Sequence, residues 1–375
     1  MAAEMPVPQD DESLDISATE GEFIPTDGYI IDYITGEKLV KDTPKEQVRQ
    51  FIARALEQEY NIALEDMQAD FSVGSGKNRR VIDIAIFHHQ KEHSLLNLSR
   101  AVICRPMPAS GRNAARVRDP KEAEKDLLIL QEIMEQVESC EYGLWTNKLD
   151  IFYVKREKSR FEVRLKDLAD WPQAGESFNE HSPASRITFH KADKEMMRVA
   201  FRRCHNFIHG NEGMPKDAAF WQFRYLIFCK IHDEEELLKG RDQQFWVGMT
   251  DQFTPEGRAR IKGRIDKLFE EVKEQYKEIF RGNEEISLSE RALAFMVSEL
   301  CRYDFTRSEI DAKGAAYQEI VGTNLRGDRG QYFTPSGSSG DWLAKKPQPQ
   351  SRLSAADERV PAVCGAYHSR RKAWD

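Results

Sequence analysis

The chain has no Cys-x-x-Cys pair, and its six cysteines (Cys104, Cys140, Cys204, Cys229, Cys301, Cys364) are widely spaced. That pattern excludes a zinc ribbon and a disulfide framework, and it fits a reducing cytoplasm. There is no apolar run near the roughly 18 residues that a membrane span needs. The start, Met1 to Ser17, carries Asp10, Asp11, Glu12 and Asp15 and has neither a positive nor an apolar leader region, so no secretory signal is expected. A surplus of positive charge is also missing. The net charge is −8, so any contact with nucleic acid needs a local basic face, because the average field repels phosphate.

What is present reads as an α/β half followed by a helical half. Residues 1–25 form an acidic lead expected to be disordered. From 26 to 172 the text alternates between element types. Thr43-Pro44-Lys45-Glu46 is a helix start, with a Thr cap, Pro in the first position and Glu in the third. Val48, Phe51, Ile52, Ala55 and Leu56 then share one face. Asp70 to Phe87 reads as strand, glycine turn, strand. Arg100–Cys104 reads as a short buried strand, and 120–139 as an amphipathic helix burying Leu127, Leu130, Ile133, Met134 and Val137. Tyr142–Asn147 and Ile151–Val154 form a final strand pair.

A linker is expected over 173–187, marked by Gly175 and Pro183. Helical periodicity follows, with helices expected near 191–208, 216–239, 255–281, 287–302 and 307–320 within an all-α domain over 188–320. Phe220, Phe223, Leu226, Ile227, Phe228 and Ile231 read as the core face of one of them. His205 and His209, four apart, read as a structural pair. His88, His89 and His93 have no pattern that supports a metal.

Three local patterns carry possible chemistry. The turn Gly74-Ser-Gly-Lys-Asn-Arg-Arg80 places Lys77, Arg79 and Arg80 at a hairpin tip, where they could meet phosphate or simply face water. The run Gly322-Thr-Asn-Leu-Arg-Gly-Asp-Arg-Gly-Gln-Tyr-Phe-Thr-Pro335 is a glycine-rich loop carrying Arg326, Asp328 and Arg329, which suits backbone that approaches a ligand. From Ser336 onward periodicity stops. Seven Lys/Arg stand against four Asp/Glu there, and 336–375 is expected to be a disordered tail.

With Ala316, Tyr317, Gln318 and Glu319 before it, the run ending at Pro335 resembles the entry to the catalytic domain of DNA adenine N6-methyltransferases, in particular the modification subunit of type I restriction-modification systems. The resemblance implies that 321–335 opens a methylase catalytic domain. It also implies that Tyr332, Phe333, Thr334 and Pro335 line an S-adenosylmethionine pocket and that Arg326 and Arg329 are candidate DNA contacts. In that family a glycine-rich turn and an Asn/Asp-Pro-Pro-Phe/Tyr loop come next; neither occurs here. The expectation is a reading frame interrupted after Pro335 and a polypeptide that neither binds the cofactor nor methylates. Residues 188–305, through Phe220–Glu234, resemble the helical region that precedes that domain.

Residues 26–172 resemble the N-terminal, restriction-nuclease-like domain of type I restriction R subunits. That family sets an Asp at a strand end, Glu-x-Lys on the next strand and often a helix-borne Glu, which together hold Mg²⁺ and orient water. Glu46 and Asp83 match. Ile103-Cys104-Arg105 stands where Glu-x-Lys is expected, and Arg105 does not deprotonate. The resemblance therefore implies a degenerate remnant (Glu46, Asp83, Arg105) kept for DNA contact or subunit docking, with no metal site. The alternatives are a Mg-dependent endonuclease using Glu46 and Asp83, or a non-catalytic docking subunit. Expected partners are DNA and the specificity and restriction subunits, with no membrane.

Overall fold

The computed structural model describes residues 27–108, 116–158, 162–174 and 194–306. These lie within one compact unit. The acidic lead, most of the linker, the helix expected over 307–320, the run to Pro335 and the tail fall outside the described residues.

A short hairpin, β1 (Tyr29–Ile31) and β2 (Leu39–Lys41), leads into α1 (Pro44–Tyr60). Thr43 caps α1 by accepting from the Glu46 amide at 3.2 Å, and Pro44 opens the first turn. The five apolar residues expected on one face are all buried.

Next come β3 (Met67–Val73), β4 (Arg80–Phe87), β5 (Leu98–Cys104), α2 (Glu124–Gln136), β6 (Tyr142–Thr146), β7 (Ile151–Lys158) and β8 (Val163–Leu168). They form one six-stranded sheet in sequence order. Every pair is antiparallel except the central β5–β6 pair, which α2 connects. A parallel pair covered on both faces needs continuous apolar strands, and β6 (Tyr-Gly-Leu-Trp-Thr) is buried throughout.

The sheet separates two cores. On one side α1 packs Phe51, Ile52 and Leu56 against Ile84, Ile86, Val102 and Leu144. On the other, α2 packs Leu130, Ile133 and Met134 against Ala85, Ile103 and Trp145. The β3–β4 turn requires its glycine: Gly74 has φ +74°, and a Cβ there would lie 2.8 Å from the Asn78 carbonyl.

β8 extends the sheet beyond the final strand pair expected from sequence. Val163-Arg-Leu-Lys166 alternates apolar and polar before Asp167 breaks the pattern, and the strand registers with β7 from Lys158↔Val163 to Tyr153↔Leu168. As an edge strand with one polar face it carries too little apolar residue to stand out. The β1–β2 hairpin escapes sequence reading for a related reason, each strand being only three residues long.

Four helices follow: α3 (Lys194–Asn211), α4 (Lys216–Leu238), α5 (Pro255–Gln275) and α6 (Glu290–Cys301). Phe223, Leu226, Ile227, Phe228 and Ile231 are buried in their common core, and Phe220 packs at its margin. The two halves interlock. Met196, Val199 and Met249 enter the core under α1, while Leu149 and Ala169 enter the helical core. The Ala169 amide also donates to the Met249 carbonyl at 2.7 Å.

Candidate functional site

The N-terminus of α1 meets the ends of β3, β4 and β5 in a cluster of charges. Asp83 on β4 is only 2% exposed. One carboxylate oxygen receives Lys45 Nζ at 2.5 Å, and the other accepts the Cys104 amide at 2.7 Å, with an Arg105 terminal nitrogen 3.6 Å away. Glu46, one residue after Lys45, turns to Arg49. Its Oε2 accepts from Arg49 Nε at 2.9 Å, and its Oε1 receives Arg49 and Gln50. Asp32, buried behind them, takes Gln50 at 3.0 Å and lies 3.3 Å from Arg49. Burial opposes the charge of Arg49, yet the Glu46 hydrogen bond and the Glu46 and Asp32 charges hold its guanidinium above its usual pKa.

Asp70 belongs to this neighbourhood as well. It stands opposite Asp83, between the pairs Ala69↔Ile84 and Phe71↔Ile82. Its backbone is left-handed, with φ +54°, which is costly in the middle of a strand, and its charge reaches Arg49.

Asp83 and Arg105 thus come together, while Glu46, next in the chain to the Lys45 that pairs with Asp83, is committed to Arg49 and Gln50. The residues do not fit a divalent ion. Asp83 has both oxygens engaged, Glu46 is bound to a guanidinium, and β5, where a further carboxylate is expected, offers none. Among the described residues no group of three or more His, Cys, Asp or Glu is arranged to hold a metal. Ile103, placed by sequence at the missing carboxylate position, points into the core beneath α2. Cys104 is the residue on the α1 side. Burial, followed by the Asp83 charge, pushes its thiol far above the ordinary value, which disfavours the thiolate.

Lys45, Arg49, Asp32 and Asp70 are not singled out by any sequence motif. One signal is available for Lys45: a lysine in the first turn of a helix opposes the helix dipole and calls for a nearby carboxylate. No equivalent signal exists for Arg49 or Asp32, whose roles depend on a hairpin folding back onto α1.

At the β3–β4 turn, Lys77 and Arg79 are exposed. Arg79 donates to Ser72 Oγ at 2.9 Å, while Arg80 is held by Glu132 on α2 at 2.5 Å. Arg80 is thereby partly committed to the fold. His205 and His209 stack with centroids 6.1 Å apart. His89 pairs with Asp66 at 2.7 Å, and His93 stacks on Phe87 at 4.1 Å; these histidines serve the structure around them. Arg326, Arg329 and Tyr332–Pro335 lie outside the described residues. No helix among the described residues is long and apolar enough to cross a membrane.

No curated protein matches the chain. Residues 44–169, which hold α1, the six-stranded sheet and the charge cluster apart from Asp32, match the family model for the type I restriction enzyme R protein N terminus, so this part of the chain is related to the N-terminal domain of type I restriction enzymes.

Proposed function

We propose that this protein is a DNA-binding component of a type I restriction-modification system whose restriction-nuclease-like domain does not cut. The observation that carries this reading is the occupancy of Asp83. Lys45 Nζ and the Cys104 amide take its two oxygens, where a metal-dependent nuclease needs an exposed carboxylate pair for Mg²⁺. The match over 44–169 supports the system. The hairpin tip at Lys77 and Arg79 supplies exposed cations for phosphate. DNA and the specificity and restriction subunits are the proposed partners.

The segment Gly322–Pro335 supports placing the chain on the modification side of such a system, as a relative of the adenine N6-methyltransferase subunit. In an intact enzyme of that kind, Tyr332, Phe333, Thr334 and Pro335 would form one wall of the S-adenosylmethionine pocket, and Arg326 and Arg329 would face DNA. Holding a flipped adenine needs a polar loop, and the Asn/Asp-Pro-Pro-Phe/Tyr form of it does not occur in the sequence. This polypeptide is therefore expected neither to bind the cofactor nor to methylate.

The test is incubation of the full chain with supercoiled plasmid and Mg²⁺ or Mn²⁺, alongside DNA retention across a salt series. The expected result is no cleavage together with salt-sensitive retention. Replacing both Lys77 and Arg79 with alanine should reduce the log–log salt slope by roughly 2, about one unit for each phosphate that is no longer neutralised. Cleavage abolished by Asp83→Ala would establish the endonuclease alternative instead. Absence of DNA retention at low salt would remove the DNA-binding reading.

A further inference from the structure

A second cavity, remote in role from the Asp83 cluster, lies where the sheet meets the helical half. It has a volume of about 40 Å³ and is lined by Arg118, Arg203, Arg258 and Arg291, with Asp119 and Glu299 as its only carboxylates. A space of that size exceeds what one water needs, and a lone tetrahedral oxyanion is of the same order.

The four guanidiniums are unequally committed. Arg118 is engaged by Asp150 and Asp126, each at 2.7 Å. Arg291 has a looser pair with Asp119 at 3.2 Å. Arg258 gives Nε to the Gln252 carbonyl at 2.7 Å and has no ion pair among the described residues. Arg203 is decisive. It is 3% exposed and donates one terminal nitrogen to Glu299 at 2.8 Å, but its Nε has no hydrogen-bond partner among the described residues. A buried guanidinium with an unmet donor is costly. The remaining wall includes the rings of Phe152 and Phe295, which supply no acceptor and keep the local dielectric low.

We propose that this cavity binds a small phosphate-bearing anion, either inorganic phosphate or the terminal phosphate of a monoester such as a mononucleotide. Arginine is the side chain best matched to such a group, because its planar fork meets two oxygens at once. Arg203 is the buried arginine of the lining, and Arg258 and Arg291 are its partly exposed ones. Any organic portion of the ligand projects outward, since the space admits little beyond the phosphate.

The experiment is isothermal titration of the full chain with inorganic phosphate and, separately, with AMP, at constant ionic strength, with chloride as the control anion. Saturable phosphate binding that falls at least about tenfold in the Arg258→Gln/Arg291→Gln double variant is expected, in line with loss of charge-assisted bonds. The single variant Arg258→Gln, at a residue without an ion pair among the described residues, should fall in the same direction and covers the case in which the double variant misfolds. AMP binding equal to phosphate assigns a free anion, and tighter AMP binding assigns a monoester. Phosphate no better than chloride, or binding unchanged in Arg258→Gln, overturns the proposal. These outcomes are independent of DNA retention and plasmid cleavage, so they separate this site from the Asp83 reading.

Discussion

Two charged regions of this protein look alike in sequence and differ in the folded chain. At the head of α1, the Asp83 and Glu46 carboxylates are each met by a cation or an amide within hydrogen-bonding reach. At the seam between sheet and helices the pairing is incomplete. The Tyr60 hydroxyl lies 2.5 Å from an Asp170 oxygen and 2.9 Å from the Tyr153 hydroxyl, to which Arg302 donates at 3.1 Å. Yet Arg302 Nε lies 3.7 Å from Asp170, and among the described residues that Nε, one Arg302 terminal nitrogen and Arg203 Nε have no hydrogen-bond partner. Glu59, fully buried beside them, is driven up to about 7 by burial, with the Asp170 and Glu299 charges reinforcing the shift and Arg302 opposing it. The comparison shows that the carboxylates at the head of α1 are met by the protein's own cations and amides, while incompletely paired charge collects at an interface that no motif marks.

The largest effect should come from breaking the seam. Arg302→Ala leaves Asp170 buried without its cation, and loss of about 3–5 kcal/mol is expected, read as a lowered urea midpoint. A cost below about 1 kcal/mol would mean that the seam does not join the two halves.

Glu59→Gln should sharpen the contrast through pH. A carboxyl with a folded pKa of about 7 and an ordinary value of 4.5 binds its proton more tightly in the folded state. Its favourable contribution is fully present below the unfolded value and is lost as pH rises through about 7. The glutamine mimics the protonated form, so at pH 8 the variant should be more stable than the parent by up to roughly 3 kcal/mol. The difference should shrink toward zero near pH 5. The charged or titratable groups facing Glu59 are Arg302, Asp170, Tyr303 and Glu299. A pH-independent difference would assign the effect to packing instead.

The smallest effect belongs to the quieted site. Lys45 is half-exposed while Asp83 is buried, so Lys45→Ala should cost about 1–3 kcal/mol by leaving an acceptor poorly satisfied. Thermal unfolding of this variant at pH 7 measures it. A stabilised variant would show that the ion pair opposes folding and leave the neutralised-site argument without support.

Much of the local structure is legible before tertiary packing is considered. Thr43-Pro44 sets the start of α1 and the apolar stripe from Val48 to Leu56 sets its buried face, because capping and 3.6-residue periodicity are local properties. The strands from Asp70 to Phe87 and from Arg100 to Cys104 are legible for the same reason. At the site, Glu46 and Asp83 can be named from their places on a helix and on the strand that follows the glycine turn. Their partners cannot. Ile103 and Cys104 are neighbours in the chain, but strand alternation sends them to opposite faces, and only the register decides which one lies beside Asp83.

By itself, then, the sequence determined α1 with its cap and buried face, the strands from Asp70 to Phe87 and from Arg100 to Cys104, the absence of a long apolar span and the turn at Gly74, since all of these rest on residue type and near neighbours. The tertiary structure alone decided that Lys45 meets Asp83, that Arg203 is buried with an unmet donor, and that Glu59 titrates near neutrality. Each of those depends on desolvation and on charges far apart in the chain, and those are properties of the packed molecule.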